Sequence, residues 1–557
     1  SSMRAVIMLV LGTVLSALLF PPQWYPPKLR FTLAEYFGPP AAVSTPNPAA
    51  MAMPELTEAM CPEDLLGWRE AQLIEGVSIA ATLGCVADNP YAIAAFVKGT
   101  NNVSTDTLMR AGLTPDALVK GADLDGDGDP DEIHIRLEIA ELNGGSPDSQ
   151  EPTAQYAIAP GITPGMWVFV PKSFGMATEN FDSVIAKELL RSPSPAIRVE
   201  QGDRVFITLE NTHYLPHTIH FHGVDHPFLR ADGQGNDGVP MTSELPVEAG
   251  QARTYELTPR SAGTAFYHCH VQPQSHILMG LQGMFIVEEN RPNNTLQSMN
   301  IGAGQVRVVS QASREEYDQE YDLQYTDIDS QLNNIIQETN DPVRIQDWLH
   351  GAYNLASSHS DYYTVNGRSF PYSYRESLIV TEPNERIRLR VLNAGGEGLA
   401  LHTHGHKATA THLDGVAQTE QSQVTRDVFW LASAQRVDLL LNTSNDGTHS
   451  YGPGVWMLHD HTGRGTTNNG IAPGGNMSAI VYRDFIDENG WPITRGENLG
   501  MFFAPEFYRR DLRFGELEPS SAWSLFLLLR LLGFAIVLGL VLASIVQILI
   551  PLVRGRR

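Results

Sequence analysis

Four His-x-His pairs and one cysteine hold most of the chemistry legible in this chain: His220 with His222, His268 with His270, His402 with His404, and His459 with His461. On an extended strand alternate side chains share a face, so both imidazoles of each pair point to the same side, as metal ligands must. One such pair is a weak signal, but four at corresponding places of two similar segments are hard to attribute to chance. Imidazole serves copper, iron and zinc alike. Copper is selected by Cys269, which interrupts one pair as His268-Cys269-His270. Its side chain points away from its two neighbours and so addresses a different metal. His217, just before His220, and His276, shortly after the cysteine, complete a His2Cys set, the trigonal ligand group of a blue-copper centre. The plain alternative, a buried cysteine between incidental histidines, leaves His217 and His276 unexplained.

Strands must position these pairs. From about residue 155 the chain turns to short β-rich segments separated by Gly, Pro and Asn: Ile197 to Val199, Arg204 to Leu209, Arg253 to Leu257, Thr264 to Tyr267 and Met284 to Val287. The same grammar recurs in Arg386 to Leu392, Val437 to Leu441, Gly454 to Leu458 and Ser478 to Tyr482. The repetition predicts an all-β fold of two Greek-key β-sandwiches, over residues 155–290 and 300–490, with the polar, partly helical stretch Gln311 to His350 joining them.

Here the sequence resembles the multicopper oxidase family, over roughly residues 190–485. The matching runs are P-H-T-I-H-F-H-G at 216–223, D-G-V-P at 237–240, Y-H-C-H-V-Q-P-Q-S-H-I-L-M-G-L at 267–281, L-H-T-H-G-H at 401–406 and L-H-D-H at 458–461. The resemblance implies two cupredoxin-like domains, a type 1 copper that takes electrons from a donor, and a trinuclear cluster of one type 2 and two type 3 coppers that reduces oxygen to water. By motif position His220 and His402 would hold the type 2 copper, and His222, His268, His270, His404, His459 and His461 the type 3 pair. Asp237 matches the family's acidic residue beside the cluster, a proton donor.

The departures are informative. Leu399 stands in the second sandwich where His217 stands in the first, and Asp460 where Cys269 stands, so one blue site remains. Its place in the first domain resembles the two-domain oxidases that assemble as homotrimers, which would bring the histidines of one subunit against those of the next. The family's axial methionine position is Leu281, with Met279 and Met284 nearby; Met241, also near the site, needs no role beyond apolar packing. His406 and His412 read as neighbours of the ligands, and His213, His226, His350, His359 and His449 receive no role, though His226 and Asp225 could line a substrate or proton path. A copper nitrite reductase-like enzyme is the rival reading, and it needs fewer histidines at its second copper. A copper-binding accessory subunit of a membrane complex is another. The electron donor is not legible.

The flanks carry other information. Residues 1–37 hold the apolar run Ala5 to Phe20 after Arg4, readable as a signal core or an anchor, and 38–54 form a Pro-rich linker. Residues 55–150 predict a small module, helical over Glu63 to Leu83, with Cys61 and Cys85 open to a disulfide or to two reduced thiols. It closes on Asp123, Asp125, Asp127, Gly128 and Asp131, which alternate like a calcium loop, although His134 occupies the position of the closing glutamate. A calcium site and a solvated acidic loop both fit. Within 522–557 the run Leu531 to Val553, broken only by Ser544 and Gln547 and followed by Arg554, Arg556 and Arg557, predicts a transmembrane helix with the C-terminus cytoplasmic and the body outside the cell membrane. With 557 residues, 42% hydrophobic, the chain has material for several cores, and a net charge of -25 argues against a nucleic-acid partner.

Overall fold

Two β-sandwiches built to one plan carry the histidine pairs. The structure, a computed structural model, describes residues 72–74, 77–79, 117–144, 155–172, 533, 536–546 and 191–508, the last without 295, 297, 301–303, 307–308, 339–340, 488–490 and 498. Both sandwiches lie in the compact unit Pro48–Phe503; Ser1–Asn47 and Ala504–Arg557 form the other unit.

In the first sandwich the ligand-bearing sheet runs Met299–Asn300, Ala196–Glu200, Gln282–Glu288, Gly263–His268, His220–His222. In the second it runs Ile379–Thr381, Ser478–Tyr482, Val455–Asp460, Leu399–Thr403, Val428–Leu431. Each contains one parallel pair, Ile197 opposite Phe285 and Ile379 opposite Ile480, among antiparallel neighbours, as a Greek-key closure requires. The internal repeat extends to register: His220 faces His268 across its sheet, and His402 faces His459. The fold is mainly β and cupredoxin-like, as the segment pattern predicts.

The facing sheets correct two boundaries. Leu118–Lys120 and the eleven-residue strand Glu132–Leu142 share one sheet with Arg204–Glu210, Ala252–Leu257 and Met166–Pro171, so the first sandwich takes in residues from 117 that the sequence pattern places in a separate module. Ile133, Ile135, Leu137 and Ile139 alternate into the core of this sandwich beside Val205, Ile207 and Leu209. In the second sandwich Gln319–Ile328 is a strand inside the stretch read as polar and partly helical. Tyr321, Leu323 and Tyr325 enter the core, and its other face, with Glu320, Asp322 and Gln324, is buried as well. Of the stretch expected to be helical between Glu63 and Leu83, the described parts Gln72–Ile74 and Val77–Ile79 are instead paired antiparallel strands. The rest of that module, Cys61, Cys85, the N-terminal apolar run and the linker lie outside the described residues. Among the described residues no helix is long and apolar enough to cross a membrane; of the C-terminal apolar run, residues 533 and 536–546 are described, as helix.

The acidic face of Gln319–Ile328 meets arginines from both sandwiches. Arg390 bonds Glu288 and Asp438, each at 2.9 Å, and also Glu320; Arg198 bonds Asp322 and lies 3.5 Å from Glu288. All six side chains are at most 1% exposed. Burial alone would raise the Glu320 carboxyl, but Arg390 and Arg198 outweigh it and hold it down to about 2. Removing one member of such a network leaves a buried charge uncompensated. Arg390→Met should therefore lower unfolding stability by about 3–5 kcal/mol; a denaturant midpoint equal to that of the parent protein would refute the role given to this layer.

Candidate metal centre

Cys269 sits where the strand Gly263–His268 runs out, its N–H still donating to Leu281 O at 3.0 Å. Alternation turns its side chain into the core, 0% exposed, while His268 on one side of it faces His222 and His220. Nδ1 of His217 lies 3.6 Å and Nδ1 of His276 3.4 Å from Sγ of Cys269. One ion at about 2.0 Å from nitrogen and 2.3 Å from sulfur would separate its donors by roughly that much. Burial pushes the thiol up to about 12, the His276 imidazolium down to about 3 with His350 and His213 assisting, and His217 well below its ordinary value. The set is thus two neutral imidazoles and a thiol that gives up its proton to a metal, which suits a copper ion.

The three candidates for the axial neighbour separate here. Met284 is on the far face of its strand, packed with Phe266, Ile286 and Leu392. Met279 and Leu281 share the core cluster of Cys269.

The other eight histidines form two matching half-sets. In the first, Nε2 of His222 and Nε2 of His268 converge at 3.0 Å, and the His220 ring lies 5.2 Å from those of His222 and His270. In the second, Nε2 of His404 and Nε2 of His459 converge at 3.0 Å, with the His402 ring 4.6 Å from that of His404 and 5.4 Å from that of His461. Backbone carbonyls fix the rings: Nδ1 of His220, His402, His268 and His459 donates to the oxygens of Asp237, Asp427, Cys269 and Asp460. Each ring thereby offers Nε2 as a lone-pair donor. Burial, with the neighbouring imidazoles, lowers His222 to about 4 and His268 to about 3, and lowers His404 and His459 as well. Among the described residues the ligand atoms of His220, His222 and His268 lie within 4.8 Å of one another, and so do those of His402, His404 and His459.

Asp237 reaches this site through its turn. Gly238 has a left-handed φ of +74°, and a Cβ there would lie 2.0 Å from Ile219 O, so only glycine lets the loop press against His220. Asp237 Oδ1 is 3.0 Å from Nε2 of His226, whose Nδ1 donates to Val224 O. His226 is thus a partner of Asp237, while Asp225 makes a surface pair with Arg260. At the vacated position of the second sandwich the Asp460 carboxylate accepts from the N–H groups of Ala400 and Thr462.

Three residues beside the copper set carried no assignment from sequence: His213, Glu141 and Trp167. His213 Nδ1 touches His217 Nε2 at 2.9 Å, and the Trp167 ring packs edge-on against both His217 and His276. Only His213, four residues before His217, had a signal in its spacing. His350, from the turn Trp348–Ala352, stacks on His276 at 5.9 Å. His406 bonds Tyr482 OH, His412 lies 3.7 Å from Asp438, and His449 pairs with Asp446 at the surface. In the acidic loop Asp123, Asp125 and Asp127 stand together, but their carboxylates accept from the loop's own N–H groups of Gly126, Gly128, Asp127 and Asp129, and Asp131 turns inward to Asp125 N.

Two family profiles, both described as multicopper oxidase, match residues 190–292 and 338–483. The iron transport multicopper oxidase FET3 of Gibberella zeae is 26% identical over 263 residues, 46% of this chain and 35% of that protein. The oxidoreductase OpS5 of Beauveria bassiana is 31% identical over 138 residues, 24% of this chain and 22% of that protein. The chain therefore spans about a third or less of the length of these relatives. Among solved structures, a blue copper oxidase from Nitrosomonas europaea superposes with a TM-score of 0.46 and 25% identity, covering 68% of this chain and 95% of that one.

The depressed histidines make the metal-free protein acid-sensitive. An unfolded histidine takes its proton near pH 6.5, whereas His222, His268 and His276 refuse theirs until about pH 4, 3 and 3. Their contribution to stability is complete above pH 6.5 and is lost progressively as pH falls toward 3. Thermal melts of metal-free protein should shift downward between pH 7 and pH 4; a melting temperature that stays level across that interval would contradict the burial described.

Proposed function

Since the chain belongs to the multicopper oxidase family, we propose that it couples one-electron oxidation of a donor to reduction of oxygen to water. The observation that carries this reading is the coexistence of one buried His2Cys set with two complete four-histidine half-sets. Bound copper would supply one-electron transfer at His217, Cys269 and His276, and four-electron reduction of oxygen among the eight histidines. Cys269 is covalently continuous with His268 and His270, so the backbone itself links the two centres. His220 and His402 would hold the type 2 ion, and His222, His268, His270, His404, His459 and His461 the type 3 pair. Asp237 and His226 hold a proton between Oδ1 and Nε2 beside His220, because His226 already donates its Nδ1 proton to Val224 O. That is where a proton is needed as oxygen is reduced. A nitrite reductase-like centre would leave the second sandwich's complete set without a purpose.

With its two histidine groups carried on different sandwiches, the chain fits a homotrimer in which His220, His222, His268 and His270 of one subunit face His402, His404, His459 and His461 of the next, a head-to-tail contact that closes into a ring. Large apolar side chains are exposed on both sandwiches: Phe228, Leu229, Met241 and Leu245 on the loops around Asp237, and Val416, Val424 and Trp430 on the second sandwich. Such exposure is what subunit contact would cover. Attachment to a membrane, with the catalytic body on the extracytoplasmic side, is supported by the C-terminal helix, where Ile536, Leu538, Leu542 and Val546 are exposed and the Ser544 hydroxyl donates to Leu540 O at 2.8 Å. A hydroxyl satisfied within its own helix suits a lipid surrounding. Asp123, Asp125 and Asp127 are the carboxylates that would hold a calcium ion in the acidic loop.

Three experiments test this. Cys269→Ser should abolish the blue absorption and leave the other coppers bound; loss of all copper would refute the separation of the centres. Leu281→Met should lower the type 1 reduction potential, since a thioether favours oxidised copper; an unchanged potential would mean that Met279 is the axial neighbour or that the site has no room for a fourth ligand. Mixed subunits carrying His220→Ala and His402→Ala should regain oxygen uptake that neither has alone, and a fully active monomer with all its copper would exclude shared sites.

A further inference from the structure

The outward side of His217 is engaged. Nδ1 faces Cys269, so the ring's proton is on Nε2, which lies 2.9 Å from Nδ1 of His213. His213 accepts there and carries its own proton on Nε2, which lies 3.5 Å from Glu141 Oε2, within ion-pair range though not hydrogen-bonded to it. That carboxylate oxygen accepts from Trp167 Nε1 at 3.0 Å and from Tyr214 OH at 2.8 Å. The backbone closes on the other oxygen: a Cβ at Gly144 would lie 1.8 Å from Glu141 Oε1, so the carboxylate occupies the room a side chain there would take. His213 is 1% and Glu141 6% exposed. The arrangement therefore acts where charges are screened little by water.

We propose that Glu141 and His213 are positioning residues for the blue-copper ligand His217, lending it the negative charge of a buried carboxylate through an interposed imidazole and so holding the type 1 potential down. The inference rests on the type 1 assignment above. A metal-bound histidine that donates its second N–H toward a carboxylate is a stronger donor with a fixed ring orientation. Here the carboxylate is one imidazole further away, so its charge reaches the metal attenuated, and Trp167 and Tyr214 attenuate it further by sharing it. Electron donation to the ligand favours oxidised over reduced copper, so the reduction potential falls. A purely structural His213–Glu141 pair would also destabilise the fold when truncated, but it would leave the potential where it was.

The test uses the full-length, copper-loaded protein, with redox titration followed by blue absorption and by EPR. Glu141→Gln keeps an acceptor oxygen for Trp167 and Tyr214 and removes the charge. It should retain the blue band and shift the oxidised-to-reduced equilibrium about tenfold toward reduced copper, about 59 mV upward for one electron. His213→Gln, which still accepts from His217 but ends the relay, should shift the potential in the same direction and weaken type 1 copper retention by about 10–100-fold. Tyr214→Phe carries the opposite sign: it strips a donor from the carboxylate and should lower the potential. That sign keeps the inference testable if Glu141→Gln does not fold. Potentials equal to the parent protein's in Tyr214→Phe and in whichever of the other variants folds, with the blue band intact, overturn the relay. A parent protein with no blue band at all overturns the type 1 assignment instead.

Discussion

The pleat of one strand end sets the rest of the structure. Because neighbours on an extended chain face opposite ways, three consecutive residues, His268, Cys269 and His270, belong to two environments that a few ångströms of backbone separate. Cys269 goes to a dry core, where burial makes a free thiolate costly and a metal-held one favourable. His268 and His270 go to a cleft shared with His220 and His222. Shifting this strand by one residue would exchange the two faces and destroy both centres together. The register is fixed on each side, with His268 opposite His220 on one neighbour and opposite Gln282 on the other.

The second sandwich repeats the cleft and omits the core site. Its strand pairing and its ring-fixing carbonyls match the first, but Asp460 points where Cys269 does and spends its carboxylate on backbone N–H groups. Two half-sets in one chain would form a single cluster only if the sandwiches met face to face across their histidines. The sandwiches meet through the layer of Arg198, Arg390, Glu288, Glu320, Asp322 and Asp438, with Thr264 bonded to Asp438 across it. Buried charges tolerate misalignment poorly, so this layer fixes how the two domains sit.

How much of this was legible follows from where side chains go. The ligands were readable because metal binding demands particular residue types at a spacing of two. Strands whose apolar residues alternate above a solvated face were readable for the same geometric reason. Gln319–Ile328 was not, because Glu320 and Asp322 make one of its faces look like a surface when arginines from two domains bury it. Glu132–Leu142 followed an acidic run that suggested a boundary, although Ile133, Ile135, Leu137 and Ile139 alternate cleanly. Glu141 and Trp167 were beyond reach, since they come to the copper set from strands far from the motif in sequence, and nothing local to either residue signals the contact.

Those two residues also make the two imidazoles of the Cys269 site unlike. The two imidazoles of the blue site are backed differently. Behind His217 stand His213 and a buried carboxylate, with the edge of Trp167 against the ring. Behind His276 stands His350, on a turn of the segment that joins the sandwiches, with Leu349 and Ile345 of that segment packed into the first core. His350 is partly exposed where His213 is buried. His217 is thus backed by strands of the facing sheet and His276 by the connecting segment.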